Sequence, residues 1–279
     1  MQPLIQRVFH PTDFSDASRT AFAHALAVAI ARKTTLTIMN ASKGFRGEDW
    51  SQFPGVSDTL KRWGLLDPSS RRSDVFSKLS IKVKKVGVDA DDPAGAILDF
   101  LAQNPTDLVV MATDPKEGLP RLLKGSVAEK VTRVAGVRSL LVPADAPGFV
   151  SVEDGSLTLK RILVPVADKP DPDAAAEVAT RTAEALGDLP AELHAVHVGE
   201  HMPEVHLPEG KDWTWHQSTR QGDVIDEIVG TAREVSADLI VMTTDGPDSF
   251  QDLFRGSHVY RVVRDAPCPV ATIPIPKGS

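Results

Sequence analysis

The chain has 279 residues, of which 42% are apolar, with a net charge of −7 and a single cysteine. That length has room for two domains of ordinary size, each able to bury a core. The acidic balance argues against a general binder of phosphate backbones, so no nucleic-acid partner is expected. Cys268 alone cannot close an intrachain disulfide, which fits a reducing cytosol.

The opening residues lack a basic start followed by an apolar stretch, so no export signal is expected and the expected location is cytoplasmic. Val8-Phe9-His10 runs into Pro11-Thr12-Asp13-Phe14-Ser15, the pattern of a short buried strand ending at a turn. A helix is predicted from Ala17 to Arg32, with Phe22, Leu26 and Ile30 on one face and Ser15 or Asp16 available as cap. The same region holds the longest nearly apolar run, Ala21 to Ala31, which is too short to span a bilayer. Thr35 to Met39 reads as the next strand. Lys43 to Arg72 is irregular apart from a helix over Thr59 to Leu66. Placed after the second strand, it is expected to lie over the ligand side of the first domain, with Trp50, Phe53 and Trp63 as apolar anchors. Strand Ile81 to Val86, helix Pro93 to Gln103, strand Leu108 to Met111, helix Ser126 to Ala135 and strand Ser139 to Val142 follow.

Ala144 to Gly148 is a linker by composition. Phe149 to Leu159 alternates around Asp154-Gly155, which reads either as a hairpin or as a flexible connector. The pattern then begins again: strand Arg161 to Val164, helix Ala174 to Leu186, strand Glu192 to Val198, a strand near Thr214 to Ser218, helix Asp223 to Glu234, strand Leu239 to Met242, helix Ser257 to Arg264 and strand Val270 to Ile273. Strands alternating with helices imply parallel sheets covered on both faces.

The second half repeats the first in sequence as well as in pattern. Asp107-Leu108-Val109-Val110-Met111 returns as Asp238-Leu239-Ile240-Val241-Met242, and Gly125-Ser126 returns as Gly256-Ser257, each 131 residues on. Pro143 and Pro274 keep the offset. Pro11 and Pro165 are 154 apart, 23 more than 131, so the first copy is the longer, largely through Lys43 to Arg72. A period this long is that of a whole domain. The expected domains are 1–145 and 161–279, joined by 146–160.

Together, Pro11-Thr12-Asp13-Phe14-Ser15, the Asp-Leu-Val-Val-Met strand and the Gly-Ser helix start resemble the universal stress protein family, twice over. The resemblance implies an α/β fold: two tandem, doubly wound, five-stranded parallel-sheet domains of the adenine-nucleotide α-hydrolase type. It further implies a pseudo-dimer formed through the last strands, since apolar edges need cover. Many members bind AMP or ATP. In them an acid after the first strand contacts the adenosine, and a G-x-x-G-x9-G-S/T loop after the fourth strand wraps the phosphates. Glycines there let backbone approach closely, and free N–H groups at a helix start hold anions.

Carried onto this chain, the acid is Asp13 in the first copy and Ala167 in the second, with Asp168 adjacent. The loop glycines fall on Ala112, Pro115 and Gly125 in the first copy and on Thr243, Gly246 and Gly256 in the second; the hydroxyls fall on Ser126 and Ser257. The candidate nucleotide site of the first copy is thus Pro11, Thr12, Asp13, Met111, Ala112, Gly125, Ser126 and Val127. Val166, Met242, Gly246, Gly256 and Ser257 form the weaker candidate in the second. Neither motif is intact. The first copy loses two glycines, and Pro115 has no N–H to offer. The second loses the acid and gathers carboxylates in its loop.

Weak binding of AMP or ATP at the first copy is the expectation, acting by binding and not by turnover. An interaction module with both sites vestigial and an adenine-nucleotide hydrolase are the alternatives; a homo-oligomer or a protein partner stays open. No metal site and no catalytic residues are expected. His194 and His197, three apart on a strand, point to opposite faces. Asp89, Asp91 and Asp92 read as a helix start and not a calcium loop. Trp213 and Trp215 read as packing, and Cys268 lacks a partner base.

Overall fold

The computed structural model describes residues 5–113, 127–169, 171–186, 191–245 and 258–275. The chain divides into two compact units, Met1–Val137 with Val150–Ser156, and Arg138–Phe149 with Leu157–Ser279. No helix among the described residues is long and apolar enough to cross a membrane.

In the first unit, strands β1 (Arg7–Pro11), β2 (Thr35–Ser42), β3 (Lys82–Asp89) and β4 (Leu108–Thr113) are parallel in the order β3-β2-β1-β4. Helices α1 (Asp16–Arg32), α2 (Val56–Arg62), α3 (Asp74–Leu79), α4 (Pro93–Gln103) and α5 (Val127–Ala135) accompany them, with a 3-10 turn at Gly47–Gln52. Alternation along β1 covers both faces of the sheet. Phe9 stacks on Phe100 of α4 at 5.1 Å, while His10, one residue on, meets Phe22 of α1 at 6.0 Å. Helix α1 starts where Ser15 Oγ accepts the Ser18 N–H. Its alanines allow close approach, so Ala21 to Leu26 are all buried, whereas Ile30 is only half-buried.

In the second unit, β5 (Ser139–Pro143), β6 (Arg161–Pro165), β7 (Ala191–Val198), β8 (Trp213–Arg220), β9 (Leu239–Asp245) and β10 (Val270–Ile275) lie in the order β5-β10-β9-β6-β7-β8. Helices α6 (Pro172–Leu186), α7 (Val224–Glu234) and α8 (His258–Asp265) complete it. Its five own strands repeat the first unit's order: the first strand of the copy is central, flanked by the second on one side and the fourth on the other. The sixth strand, β5, runs antiparallel to β10, pairing Leu141 with Val270 and Ser139 with Thr272. Both final apolar edges are thereby covered.

The repeated aspartates explain one part of the sequence repeat. Asp107 Oδ2 accepts the N–H groups of Gln6 and Arg7 (3.0 and 2.9 Å), and Asp238 Oδ2 accepts those of Lys160 and Arg161 (2.9 and 2.8 Å). Each carboxylate thus ties the start of its unit's central strand to the strand beside it, through charge-assisted bonds.

Phe149 to Leu159 closes on itself at both levels. In the first unit the Ser151 N–H donates to the Ser156 carbonyl and the Gly155 N–H to that of Ser151; in the second, Thr158 donates to Phe149.

Candidate functional site

At the end of β1 the ladder to β2 runs one residue past Pro11, with the Thr12 N–H donating to the Met39 carbonyl at 2.8 Å. Asn40 Nδ2 donates to the Thr12 carbonyl, also at 2.8 Å. The Thr12 hydroxyl points inward, accepting from the Phe14 N–H and from Ser18 Oγ. The chain then turns sharply, because Phe14 adopts a left-handed φ of 67°. Asp13 is left exposed at the C-terminal edge of the sheet. Its Oδ1 accepts from the Ser15 N–H and Oγ (3.0 and 2.6 Å), which fixes the exposed carboxylate.

The parallel register sets Val8 against Leu108 and Phe9 against Val109, so Met111 and Ala112 end β4 beside Pro11 and Thr12. Met111 is buried; Ala112 and Val127 are half-buried. Gly125, Ser126 and Pro115 lie outside the described residues, as do Gly246, Gly256 and Ser257. In the second unit Val166 repeats the position of Thr12, its N–H donating to Val196 at 2.8 Å, and it is buried. Ala167 and Asp168 after it are exposed, and Met242 is buried. The C-terminal sheet edges carry the described candidates in each unit, where ligands enter doubly wound sheets.

An aromatic cluster stands beside Asp13. Phe53 packs on Phe22 (4.7 Å), Phe14 (6.0 Å) and His10 (6.2 Å), and Trp50 packs on Phe14 (5.5 Å), Phe53 (6.0 Å) and Phe45 (6.1 Å). Lys85 Nζ lies 4.8 Å from the Trp50 ring centre, and burial holds its ammonium below the usual lysine range. Phe53 is buried, but Phe14, Phe45 and Trp50 are half-exposed. Trp63, the third expected anchor, does other work. Its Nε1 donates to the Val152 carbonyl (3.1 Å), beside the bonds of Arg62 to Val152 and Glu153.

The remaining titratable groups sort by their partners. Asp89 accepts from the Gly44 N–H, Asp91 pairs with Lys43, and Asp92 starts α4 and pairs with Lys130. Both Trp213 and Trp215 donate their indole N–H to the Pro208 carbonyl (2.8 and 3.1 Å). Cys268 is buried, which pushes its thiol up to about 12, suiting it to packing and not to attack. His197 Nδ1 donates to the Val166 carbonyl (2.9 Å), the position Asn40 serves in the first unit. His194, by contrast, stacks on His216 of β8, a residue that local pattern gives no reason to single out. The readable sign was only Glu192 and His194 at strand spacing; their third neighbour comes from the β7–β8 register.

The universal stress protein family model matches residues 5–143 and 214–274. A universal stress protein of Methanocaldococcus jannaschii is 29% identical over 142 residues, which cover 50% of this chain and 82% of that protein. The crystal structure of a universal stress protein from Archaeoglobus fulgidus superposes over 96% of this chain and 98% of its own, with a TM-score of 0.60 at 18% identity. The family match spans both copies and covers more than half of the residues, and the same strand order recurs in the two units: the chain belongs to the universal stress protein family.

Proposed function

We propose that this protein works by binding and not by turnover, and that its first unit holds a short adenine nucleotide weakly at Asp13. The observation that carries this reading is the exposed Asp13 carboxylate at the C-terminal end of β1, fixed through its Oδ1 by Ser15. A carboxylate held in this way accepts paired hydroxyl donors, as a ribose presents them. The half-exposed rings of Phe14 and Trp50, packed edge to face, put apolar aromatic surface beside it against which a purine can pack. Ala112 and Pro115 weaken any wrap around distal phosphates, so AMP loses less than ATP. In the second unit the acid position is Ala167, and little or no binding is expected there.

A second reading draws on the same aromatic cluster. With Phe53 seated on His10 and Phe22, the segment after β2 fills space next to Asp13, as a vestigial site in an interaction module would. Calorimetry with AMP on the intact chain and on the Asp13→Ala, Gly125→Val and Gly256→Val variants separates the readings. Weak heat that disappears with Asp13→Ala supports the first. Binding that survives Asp13→Ala and Gly125→Val but vanishes with Gly256→Val assigns the site to the second unit. No binding to the intact chain favours the interaction module.

A further inference from the structure

We propose that Glu192, His194 and His216 form a site for a divalent first-row transition ion, zinc(II) in class, on the outer strand pair of the second unit. Strands β7 and β8 are parallel over eight residues, and their register places His194 directly beside His216. Glu192 precedes His194 by two residues, so both side chains leave the same face of β7. One ligand atom from each of the three lies within 4.8 Å of the others.

The histidine pair carries the argument beyond mere proximity. The rings of His194 and His216 stack at 4.9 Å with 22° between their planes. His194 Nε2 is buried and makes no hydrogen bond among the described residues; its nearest charged neighbour is Glu192 Oε2 at 3.6 Å. A buried ring nitrogen without a hydrogen-bond partner is costly, and a metal ion would supply one; His10 Nε2 shares that lack, but only His194 has a second imidazole and a carboxylate at ligand distance among the described residues. The donor set suits one: two imidazole nitrogens and a carboxylate are borderline ligands of the kind that hold zinc(II).

Room to adjust is present. Around a tetrahedral ion, ligand atoms stand about 3.3 Å apart at the usual zinc bond lengths. Glu192 and His216 are exposed, so their side chains can rotate inward while His194 stays in place. Three protein ligands leave at least one coordination position open to water or a small anion, the pattern of reactive and not purely structural zinc sites. The other histidines of the region are placed differently: His197 Nδ1 is engaged with the Val166 carbonyl, and His201 and His206 lie in the loop between β7 and β8, where the His206 backbone N–H donates to Asp173.

The test uses the full-length chain without an affinity tag. Cobalt(II) is titrated while its visible absorption is followed, and zinc(II) is then added in competition. About one ion per chain is expected, displaced by zinc. The His216→Ala variant, altered at an exposed position, is expected to bind roughly tenfold or more weakly, since even outer-shell supports of metal ligands are typically worth that much. Glu192→Gln should weaken binding as well, whereas a His201→Ala/His206→Ala double variant should bind as the parent does. Circular dichroism on each variant establishes that it is folded. Absence of cobalt binding to the parent chain would overturn the proposal. So would parental affinity in folded His216→Ala and Glu192→Gln, which would leave the histidine pair as a packing contact.

Discussion

Asn40 Nδ2 donates to the Thr12 carbonyl over 2.8 Å, and that bond holds the strand end from which Asp13 projects. Both residues are buried, so the carbonyl has no water to fall back on. The second unit reaches the same end with a different side chain, His197 Nδ1 on the Val166 carbonyl. Asn40→Leu should therefore cost about 1–3 kcal/mol in the first unit, through one unsatisfied carbonyl. It should also weaken nucleotide binding although Asp13 is untouched. Hydrogen exchange at the end of β1, read beside AMP calorimetry, checks both effects. A faster-exchanging strand end with unchanged AMP affinity would show that Asp13 is positioned by its own turn alone.

Gly155 has a φ of +72°, and a Cβ built on it runs into the Trp63 indole. The position is thus closed to other residues twice, by backbone conformation and by space. Gly155→Ala should destabilise the first unit by roughly 1–3 kcal/mol, combining left-handed strain with steric contact. The steric share can be separated because Trp63→Ala removes the obstacle. In a double-mutant cycle under urea unfolding, the cost of Gly155→Ala should be smaller in the Trp63→Ala background than in the parent. Equal costs in both would reduce the effect to backbone strain.

Most of the scaffold was legible because its signals are local. Helix α4 begins where Pro93 supplies a fixed φ at the first turn, and α7 begins where Asp223 accepts the Ile225 and Asp226 N–H groups. The buried strands read as runs of Val, Ile and Leu because both faces are covered. Helix α3 escaped for a physical reason: only Val75 is buried and Phe76 is 55% exposed, so there is no apolar stripe to detect. The candidate metal cluster escaped because cross-strand neighbours depend on register, which no local pattern fixes. His197 was readable as pointing away from His194, but its role in pinning Val166 required knowing which strand lies alongside. Asn40 and His197 share that role with unrelated chemistry, so self-comparison of the sequence could not pair them.

The last expectation concerns acid. His10 is fully buried on β1 between Phe22 and Phe53, with Nδ1 donating to the Val110 carbonyl at 2.9 Å. Burial lowers its pKa to about 4, and does the same for His24 on α1. Above pH ~6.5 each ring is neutral in the folded and unfolded chains alike, and neither adds any pH dependence. As the pH falls below that value, the unfolded chain takes up protons that the fold refuses until about pH 4. Stability is therefore expected to decline across this window and to level off below it, by a total of roughly 3 kcal/mol for each histidine. The second copy carries Val164 where the first has His10, so His10→Val is a substitution the fold already accommodates in its other half. Urea unfolding of the parent and of His10→Val between about pH 7 and pH 4.5 measures the effect. The variant should show a distinctly shallower slope than the parent, with His24 and the partly buried His194 as remaining sources. An unchanged slope in His10→Val would mean that His10 gains its proton in the folded chain as readily as in the unfolded one, and that its burial does not resist charge.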